Sequence, residues 1–312
     1  MIVVGGEALV DLVDVDGALR PAPGGGPFNT AIALARLGVP VGFLGCLSTD
    51  RYGRSLEREL HDAGVDLRYL LRVPAPTPLA VVHTEPDGEA EYTFYLSDTA
   101  YVAVSADELP ALDPEVTTLH LGTLALALDP PSSAYEALLE READRRVIVL
   151  DPNVRPRIFG DPVLYRARFE RWARQAHVIK LSAADAAWLF PGFAVTEVAA
   201  ALLDLGAHLV AVTLGPTGGF AATPAGSVHV PGLMVDVIDT VGAGDTFGAA
   251  LLARLWSGGY LAAGALAALG SDALEDAVRY AVAAAALTCT RAGAVPPVAV
   301  EIETLLAAEA AR

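Results

Sequence analysis

Residues 239–248 read Asp-Thr-Val-Gly-Ala-Gly-Asp-Thr-Phe-Gly, with two glycines just before the aspartate at position 245. An Ala- and Leu-rich run follows to Trp256 and predicts a buried helix that ends at Gly258 and Gly259. A glycine-rich turn at a helix start is typical of an anion site, because free N–H groups and the positive end of the helix dipole meet there. Asp245 is a poor anion ligand, so it is predicted to be either a helix cap or a proton acceptor. A proton acceptor beside a phosphate site would indicate phosphoryl transfer to a hydroxyl.

Composition limits the class of protein. The chain has 312 residues, 53% of them hydrophobic, which suits one large α/β domain and excludes a disordered chain. The net charge of −17 argues against a nucleic-acid partner, because a phosphate backbone requires a basic face. No apolar run reaches ~18 residues, so we expect no membrane span. The first residues predict a strand and lack a signal-like segment, which favours a cytoplasmic protein.

Lys180 is the single lysine of a chain that has twenty arginines. An ammonium is compact and rotatable, whereas a guanidinium is a planar fork. Lys180 is therefore predicted to lie where only an ammonium fits, the alternative being chance. Cys46 and Cys289 have apolar neighbours and no His or Cys at metal-binding spacing, so both are expected to be free buried thiols.

A second glycine-rich segment, Gly24-Gly25-Gly26-Pro27-Phe28-Asn29, precedes a helix predicted at Thr30–Leu37. Three consecutive glycines suit a place where a ligand approaches the backbone closely, although a flexible loop is the alternative. Asn29 offers a donor and an acceptor, which suits a sugar hydroxyl. Asp11 alternates with apolar neighbours, so it is predicted either to face a cleft from a strand or to be a solvated acid at a strand end.

Strands alternate with helices along most of the chain, which predicts a parallel sheet covered on both faces. Ligands bind at the carboxyl ends of such strands, where polar clusters begin at Asp151, Lys180 and Thr213. Two alternating runs, Leu79–Thr84 and Ala90–Leu96, flank a turn at Pro86-Asp87-Gly88 and predict a hairpin that projects as a lid. The predicted sheet strands are residues 2–6, 41–47, 117–121, 146–150, 178–181 and 209–214, with a further hairpin at 220–230.

The two glycine-rich motifs together resemble those of the ribokinase-like (PfkB) carbohydrate kinase family. They lie near the two ends of the chain, as in the family, and the segments Asp50–Gly53 and Ala63–Asp66 between them are also similar. The resemblance covers the whole chain. It implies one ribokinase-like domain, residues 1–312, with a three-layer α/β fold around a mostly parallel central sheet. It also implies a small β lid, formed by about residues 12–22 and 77–104, and a homodimer through that lid.

The resemblance implies ATP-dependent phosphorylation of a sugar or a sugar-like alcohol, with Mg²⁺ as a cofactor. Asp245 matches the catalytic base of the family, which accepts the proton of the attacking hydroxyl. Gly242, Ala243 and Gly244 match the anion hole that stabilises the transferring phosphoryl group. The other matches are to sugar-binding positions (Asp11, Gly25, Gly26 and Asn29) and to the nucleotide loop (Thr213, Gly215 and Gly218).

One motif departs from the family pattern. The family's Asn-x-x-Glu motif, which helps to organise Mg²⁺ and phosphate, is replaced here by Ser182-Ala-Ala-Asp185. Asp is one methylene shorter than Glu, so Asp185 is expected to reach Mg²⁺ through water, since Mg²⁺ keeps several waters. Lys180 and Ser182 are expected near the ATP phosphates. The candidates for a monovalent cation site, with K⁺ as a candidate activator, are Asp239 and Val241, near Arg291 and Gly293.

The acceptor is open among several alcohols. The Gly-Gly-Gly-Pro-Phe-Asn motif, the run Tyr92–Tyr95 and the run Asp151-Pro-Asn-x-Arg155 look most like those of bacterial fructokinases. 2-Keto-3-deoxygluconate kinases share much of this pattern, and Arg155 would then bind the sugar carboxylate. Nucleoside and hydroxymethylpyrimidine kinases stay open within the fold.

Two readings from other classes fit less well. An oxidoreductase would need a strand with an acid at its end after the glycine motif, but the chain beyond Gly248 is nearly all helical in pattern. A non-catalytic sugar sensor would be favoured by the loss of Asp245 or of the anion hole, and the chain retains both.

Overall fold

We describe the protein from a computed structural model, which covers residues 1–15, 17–84, 90–158 and 161–311. The predicted turn at Pro86–Gly88 lies outside these ranges. The strands are β1 (Ile2–Gly5), β2 (Leu9–Val15), β3 (Ala18–Gly24), β4 (Val41–Leu44), β5 (Cys46–Ser48), β6 (Leu71–Val73), β7 (Leu79–Thr84), β8 (Ala90–Tyr95), β9 (Thr118–Gly122), β10 (Val147–Asp151), β11 (Val178–Ser182), β12 (Leu209–Thr213), β13 (Gly219–Thr223) and β14 (Gly226–Val230). The α-helices are α1 (Gly26–Arg36), α2 (Arg51–Asp62), α3 (Pro131–Glu142), α4 (Pro162–Ala173), α5 (Ala183–Leu189), α6 (Val195–Asp204), α7 (Ala243–Ser257), α8 (Ser271–Cys289) and α9 (Ala299–Ala310).

The main sheet has the strand order β14-β13-β12-β11-β10-β9-β1-β4. The strands from β12 to β4 in this order are parallel, and the β13–β14 hairpin adds an antiparallel edge. Because successive strand residues point to opposite faces, Val4 and Val149 pack with α1, α7 and α8, whereas Val3 and Ile148 pack with α3, α4 and α6. The predicted three-layer α/β fold is confirmed.

A second sheet, with the order β3-β2-β7-β8, stands beside the carboxyl ends of the main strands. Its strand β2 pairs in parallel with β7, although about 70 residues separate them, and each strand forms an antiparallel hairpin with its other neighbour. One face carries Asp11 and Tyr92 and lines a cavity. Leu19 and Tyr95 lie on the opposite face and are 52% and 58% exposed.

The single strand predicted at Val41–Leu47 is two strands in the structure, because the chain breaks at Gly45 into β4 and β5. β4 stays in the main sheet, while β5 pairs with β6 in a separate ribbon. A side chain at Gly45 would collide with the backbone oxygen of Gly6, so the close approach of the two segments requires glycine at the break. Within the described ranges, no helix combines the length and the apolar character that a membrane span requires.

Candidate active site

The carboxyl ends of the main strands and the inner face of the second sheet enclose a cavity of about 920 Å³. Of the predicted site residues, those that line it are Asp11, Gly25, Gly26, Asn29, Arg155, Lys180, Ser182, Asp185, Thr213, Asp239, Val241, Gly242, Gly244 and Asp245, together with Gly293. Ala243, Gly215, Gly218 and Arg291 do not line the cavity. Gly218 instead packs against the backbone of Val230 and Gly232, so the turn that contains it faces the hairpin edge.

The two glycine-rich motifs meet at a hydrogen bond, in which Asn29 Nδ2 donates to Asp245 Oδ2 at 2.8 Å. Asp245 lies in the first turn of α7, yet its side chain makes no capping bond to that helix. Gly242 precedes the helix with a left-handed φ of 75°, which an L side chain rarely adopts. The N-cap of α7 is Gly242, and the carboxylate of Asp245 lines the cavity beside the glycine turn, so its role as a proton acceptor stays a prediction.

The Gly24–Gly26 segment is not a free loop. A side chain at Gly24 would collide with the carboxylate of Asp11, and one at Gly26 would collide with Thr123 Oγ1. The same position on Gly26 is 3.4 Å from Asp245 Oδ1. Bare backbone thus allows three polar side chains to converge on the start of α1, which identifies this as the polar end of the cavity.

Burial dominates the electrostatics at this end. It raises the pKa of Asp245 above its usual range, against the opposing effect of Lys180, of the hydrogen bond from Asn29 and of Arg155. Burial and the nearby Asp245 raise the pKa of Asp11 to about 7, while Arg155 lowers it. Two carboxyl groups with pKa values shifted in the same cleft are a typical feature of a functional site.

Lys180 lies beneath the glycine turn, in β11 on the face that packs under α7. Its ammonium donates to Asp151 Oδ2 at 2.8 Å and is 3.3 Å from the position that a Cβ on Gly244 would occupy. Burial lowers the pKa of Lys180, but the carboxylates of Asp151, Asp245 and Asp185 outweigh that effect and raise it. The lysine is therefore charged and buried beneath the turn, and the expectation that only an ammonium fits there stays a prediction.

Asp185 is held by the protein itself. Its Oδ1 accepts from the backbone N–H of Val154, and its Oδ2 accepts from the backbone and the hydroxyl of Ser182, which forms a capping box at α5. These bonds leave little capacity for direct metal ligation, and the water-mediated role of Asp185 stays a prediction. No cluster of three His, Cys, Asp or Glu side chains suits a metal within the described part of the chain. A Mg²⁺ ion here would keep most of its water and phosphate ligands.

Asp239 is similarly engaged at the other end of the glycine turn. Its carboxylate accepts from the backbone N–H groups of Val241 and Gly293, and so ties the turn to the end of α8. Around it, the cavity wall is backbone and apolar, with Val237 and Ile238 largely exposed. An apolar wall beside a glycine turn suits a nucleotide, with the purine ring against the wall and the phosphates at the turn.

Sequence reasoning gave no role to three residues that line the cavity: Glu7, Thr123 and Asn153. Thr123 and Asn153 have left-handed φ values of 57° and 38°, which few non-glycine residues adopt. Such strain persists only where the surroundings fix it, and it collects at functional sites. Asn153 belongs to a polar cluster that the sequence singled out, but no local pattern marks Thr123.

The chain is similar to known carbohydrate kinases. The family described as "pfkB family carbohydrate kinase" matches residues 1–300. A fructokinase from Rhizobium leguminosarum bv. trifolii is 39% identical over 281 residues, which are 88% of this chain and 86% of that protein.

Two solved structures are also similar. A fructokinase double mutant from Vibrio cholerae O395, in a fructose-, ADP- and potassium-bound form, has a TM-score of 0.86 and 30% identity, with 97% of each chain covered. A fructokinase from Xylella fastidiosa with bound ATP has a TM-score of 0.89 and 27% identity, with 99% of this chain and 98% of that one covered.

Proposed function

We propose, because this chain belongs to the pfkB family of carbohydrate kinases, that it transfers the γ-phosphoryl group of ATP to a hydroxyl of fructose. The observation that carries the proposal is the hydrogen bond of 2.8 Å between Asn29 and Asp245. It joins an amide suited to a sugar hydroxyl to a buried carboxylate beside a glycine turn that is suited to an anion. The similar proteins named fructokinase support the choice of fructose. ATP and K⁺ are proposed on the same ground, since the Xylella structure contains ATP and the Vibrio structure contains ADP and a potassium ion.

The acceptor hydroxyl would lie between Asp245 and the start of α1. Asp245 accepts its proton as the hydroxyl oxygen forms a bond to the γ-phosphorus and the bond to the ADP oxygen breaks. The raised pKa of Asp245 makes the carboxylate a better base at neutral pH than an exposed aspartate. Asn29 holds the carboxylate in orientation, while Asp11 and Asn29 bind other sugar hydroxyls.

The phosphates would lie over Gly242–Gly244 at the start of α7. Backbone N–H groups and the helix dipole stabilise negative charge there without reorganising during the reaction. Lys180 adds a fixed positive charge beneath the turn, although its hydrogen bond to Asp151 makes it a supporting group for the turn. A bound Mg²⁺ would neutralise charge on the phosphates, and Asp185 would help to hold it through water.

The contacts that Arg155 makes within the protein favour a neutral sugar over a 2-keto-3-deoxy sugar acid as the acceptor. Its Nη1 donates to Asn153 Oδ1 at 2.6 Å, and its guanidinium lies 5.9 Å from the ring centre of Tyr92 on the second sheet. The charge of Arg155 is also balanced by Asp11, the pKa of which it lowers. A substrate carboxylate would have to compete with these partners, whereas the hydroxyls of fructose need only polar neighbours.

An ADP-release assay with ATP, Mg²⁺ and K⁺ tests the proposal across a panel of acceptors. The panel contains fructose, ribose, 2-keto-3-deoxygluconate, adenosine and a hydroxymethylpyrimidine. We expect the highest kcat/KM with fructose. A higher kcat/KM with the keto-acid sugar would replace fructose as the acceptor, and Arg155→Met would then reduce turnover of that acid much more than turnover of fructose.

The second sheet is proposed as the lid of this site and as the surface of a homodimer. Its inner face lines the cavity, which supports exclusion of water from the phosphates. Leu19 and Tyr95 on its outer face are exposed apolar side chains, which supports pairing with a second copy. Light scattering should give the mass of two 32.3-kDa chains for the wild type and of one chain for the double variant Leu19→Glu, Tyr95→Glu.

The proposed use of ATP supports a cytoplasmic location.

A further inference from the structure

Glu7 is a buried acid at the polar end of the cavity that the proposed reaction does not use. It follows β1, is 4% exposed and lines the cavity. Its Oε2 accepts from the backbone N–H of Ala125 at 3.3 Å, while its Oε1 has no hydrogen-bond partner in the described residues. Burial, assisted by Asp245, raises the pKa of Glu7 to about 8, so the side chain is mostly neutral at pH 7. A buried acid that is incompletely bonded is costly, and its presence calls for a role.

The segment that Glu7 contacts is a 3₁₀ turn at Thr123–Leu126, directly after β9. Thr123 opens this turn with a φ of 57°, a strained conformation for a β-branched residue. No side chain within the turn caps it. The bond from Ala125 to Glu7 is therefore a contact from outside that holds the turn, and with it the strained conformation of Thr123.

The conformation of Thr123 places its hydroxyl at the start of α1. Oγ1 is the nearest atom to the position that a side chain at Gly26 would occupy, ahead of Asn153 Nδ2 and Asp245 Oδ1, which are both 3.4 Å from it. Thr123 lines the cavity, and its hydroxyl makes no hydrogen bond to any residue within the described ranges. An unpaired hydroxyl at the same point as the proposed base and sugar-binding amide is suited to a sugar hydroxyl, because each is both donor and acceptor.

We propose that Thr123 is a sugar-contacting residue and that Glu7 is a positioning residue that acts through it. This inference rests on the proposed function in that it takes a sugar as the acceptor, but it does not depend on which sugar is used. The carboxyl of Glu7 holds the Thr123–Leu126 turn, and the turn presents the Thr123 hydroxyl to the acceptor beside Asp245.

The first test compares Thr123→Val with Thr123→Ser, using the acceptor that the wild type phosphorylates fastest. Valine keeps the branched shape and removes the hydroxyl, so we expect KM for the sugar to rise about fivefold, the effect of one hydrogen bond between neutral groups. KM for ATP should stay within about twofold. Serine restores the hydroxyl and should recover most of the loss. A KM for the sugar that does not change in Thr123→Val overturns the contact.

The second test is a double-mutant cycle with Glu7→Ala. If Glu7 acts through Thr123, then Glu7→Ala raises KM for the sugar, and adding Thr123→Val to it has little further effect. Independent, additive losses would overturn the positioning role. Equal rises in KM for the sugar and for ATP would do so as well, because they indicate a general loss of structure.

Glu7→Gln is a second variant, which still tests the positioning role if Glu7→Ala does not fold. An amide oxygen can still accept from Ala125, and a neutral side chain matches the neutral acid, so KM for the sugar should stay within about twofold of the wild type at pH 7. A fivefold or larger rise for Glu7→Gln would contradict the proposal. The choice of fructose in the proposed function is tested separately and fails if the wild type prefers another acceptor. The double-mutant cycle is then measured with that preferred acceptor.

Discussion

Lys180 Nζ lies 2.8 Å from Asp151 Oδ2, and the two side chains are only 6% and 5% exposed. This pair lies beneath the glycine turn, and its lysine is the group that lowers the pKa of Asp245 most. A buried ion pair adds little net stability compared with apolar residues, but loss of one partner is costly. The pair therefore matters mainly because its ammonium lowers the pKa of Asp245 at the polar end of the cavity.

Replacement of Lys180 by methionine should shift the acid limb of the pH profile. Burial already raises the pKa of Asp245, and without the ammonium it rises further, so the carboxylate is protonated at a higher pH. We expect the acid limb of kcat/KM to move up by about one pH unit, the effect of an opposite charge at short range. Arg279→Met, which removes an exposed ion pair on α8, is the control. An unshifted limb would show that Lys180 does not act on the base.

Asp245→Asn should abolish most turnover without loss of stability. The amide oxygen can still accept from Asn29, and the cost of burying a charge disappears, so the melting temperature should not fall. We expect kcat to decrease by about 10²–10⁴-fold, the usual contribution of a general base. ADP release and thermal unfolding measure the two effects. Asp272→Asn, in the first turn of α8, is the matched control, and full activity of Asp245→Asn would refute its role as base.

Asp11 should make sugar binding depend on pH near neutrality. Its pKa is raised to about 7, and the ionised form accepts stronger hydrogen bonds from sugar hydroxyls. KM for the sugar should therefore rise as pH falls below about 7, while KM for ATP changes little. Asp11→Asn should raise KM for the sugar about tenfold above pH 7, which corresponds to loss of a charged hydrogen bond, and should remove the pH dependence.

The matched control for Asp11 lies on the same strand. Asp14 is exposed and accepts from the backbone N–H of Gly17, away from the cavity. Asp14→Asn should keep the wild-type KM for both substrates and the wild-type pH dependence. If Asp11→Asn weakens ATP as much as the sugar, then Asp11 does not belong to the acceptor site.

Because of Glu7, the free energy of unfolding should fall progressively as the pH rises from about 4.5 to about 8. Its pKa is about 8 in the folded protein against an ordinary 4.5, so the unfolded chain releases the proton first and folding becomes less favourable across this window. Glu7→Gln lacks this effect. Its free energy of unfolding relative to the wild type should therefore grow by a few kcal/mol between pH 5 and pH 8, at about 1.4 kcal/mol per unit. Urea titrations at both pH values measure it, and a constant difference would mean that Glu7 is ionised throughout.

The sequence predicted the parts of the site that local pattern encodes. Gly242 and Asp245 follow from the rule that a glycine turn opens an anion-binding helix, and the α/β alternation placed the cleft at the strand ends. Asn29 and the three glycines before it were likewise found by pattern. The bond between Asn29 and Asp245 was not predicted, because the 216 positions between them carry no local signal.

The remaining features depend on contacts between distant segments. The parallel pairing of β2 with β7 and the bond from Ala125 to Glu7 both join segments that no periodicity connects. Thr123 has a left-handed φ, which a β-branched residue rarely adopts, so the sequence gives no indication of this conformation. The break at Gly45 follows from the approach of Gly6, and a run of apolar residues gives no sign of it.

The bond between Asn29 and Asp245 also orders events during synthesis of the chain. The two residues are 216 positions apart, so a ribosome that adds roughly 5–20 residues per second makes Asn29 roughly 10–40 s before Asp245. During that interval the nascent chain already contains Asp11 and Asn29, which are proposed to bind the sugar, but lacks Asp245, the proposed base. On that proposal a growing polypeptide does not turn over ATP, and activity begins only after α7 has left the ribosome and docked between α1 and α8.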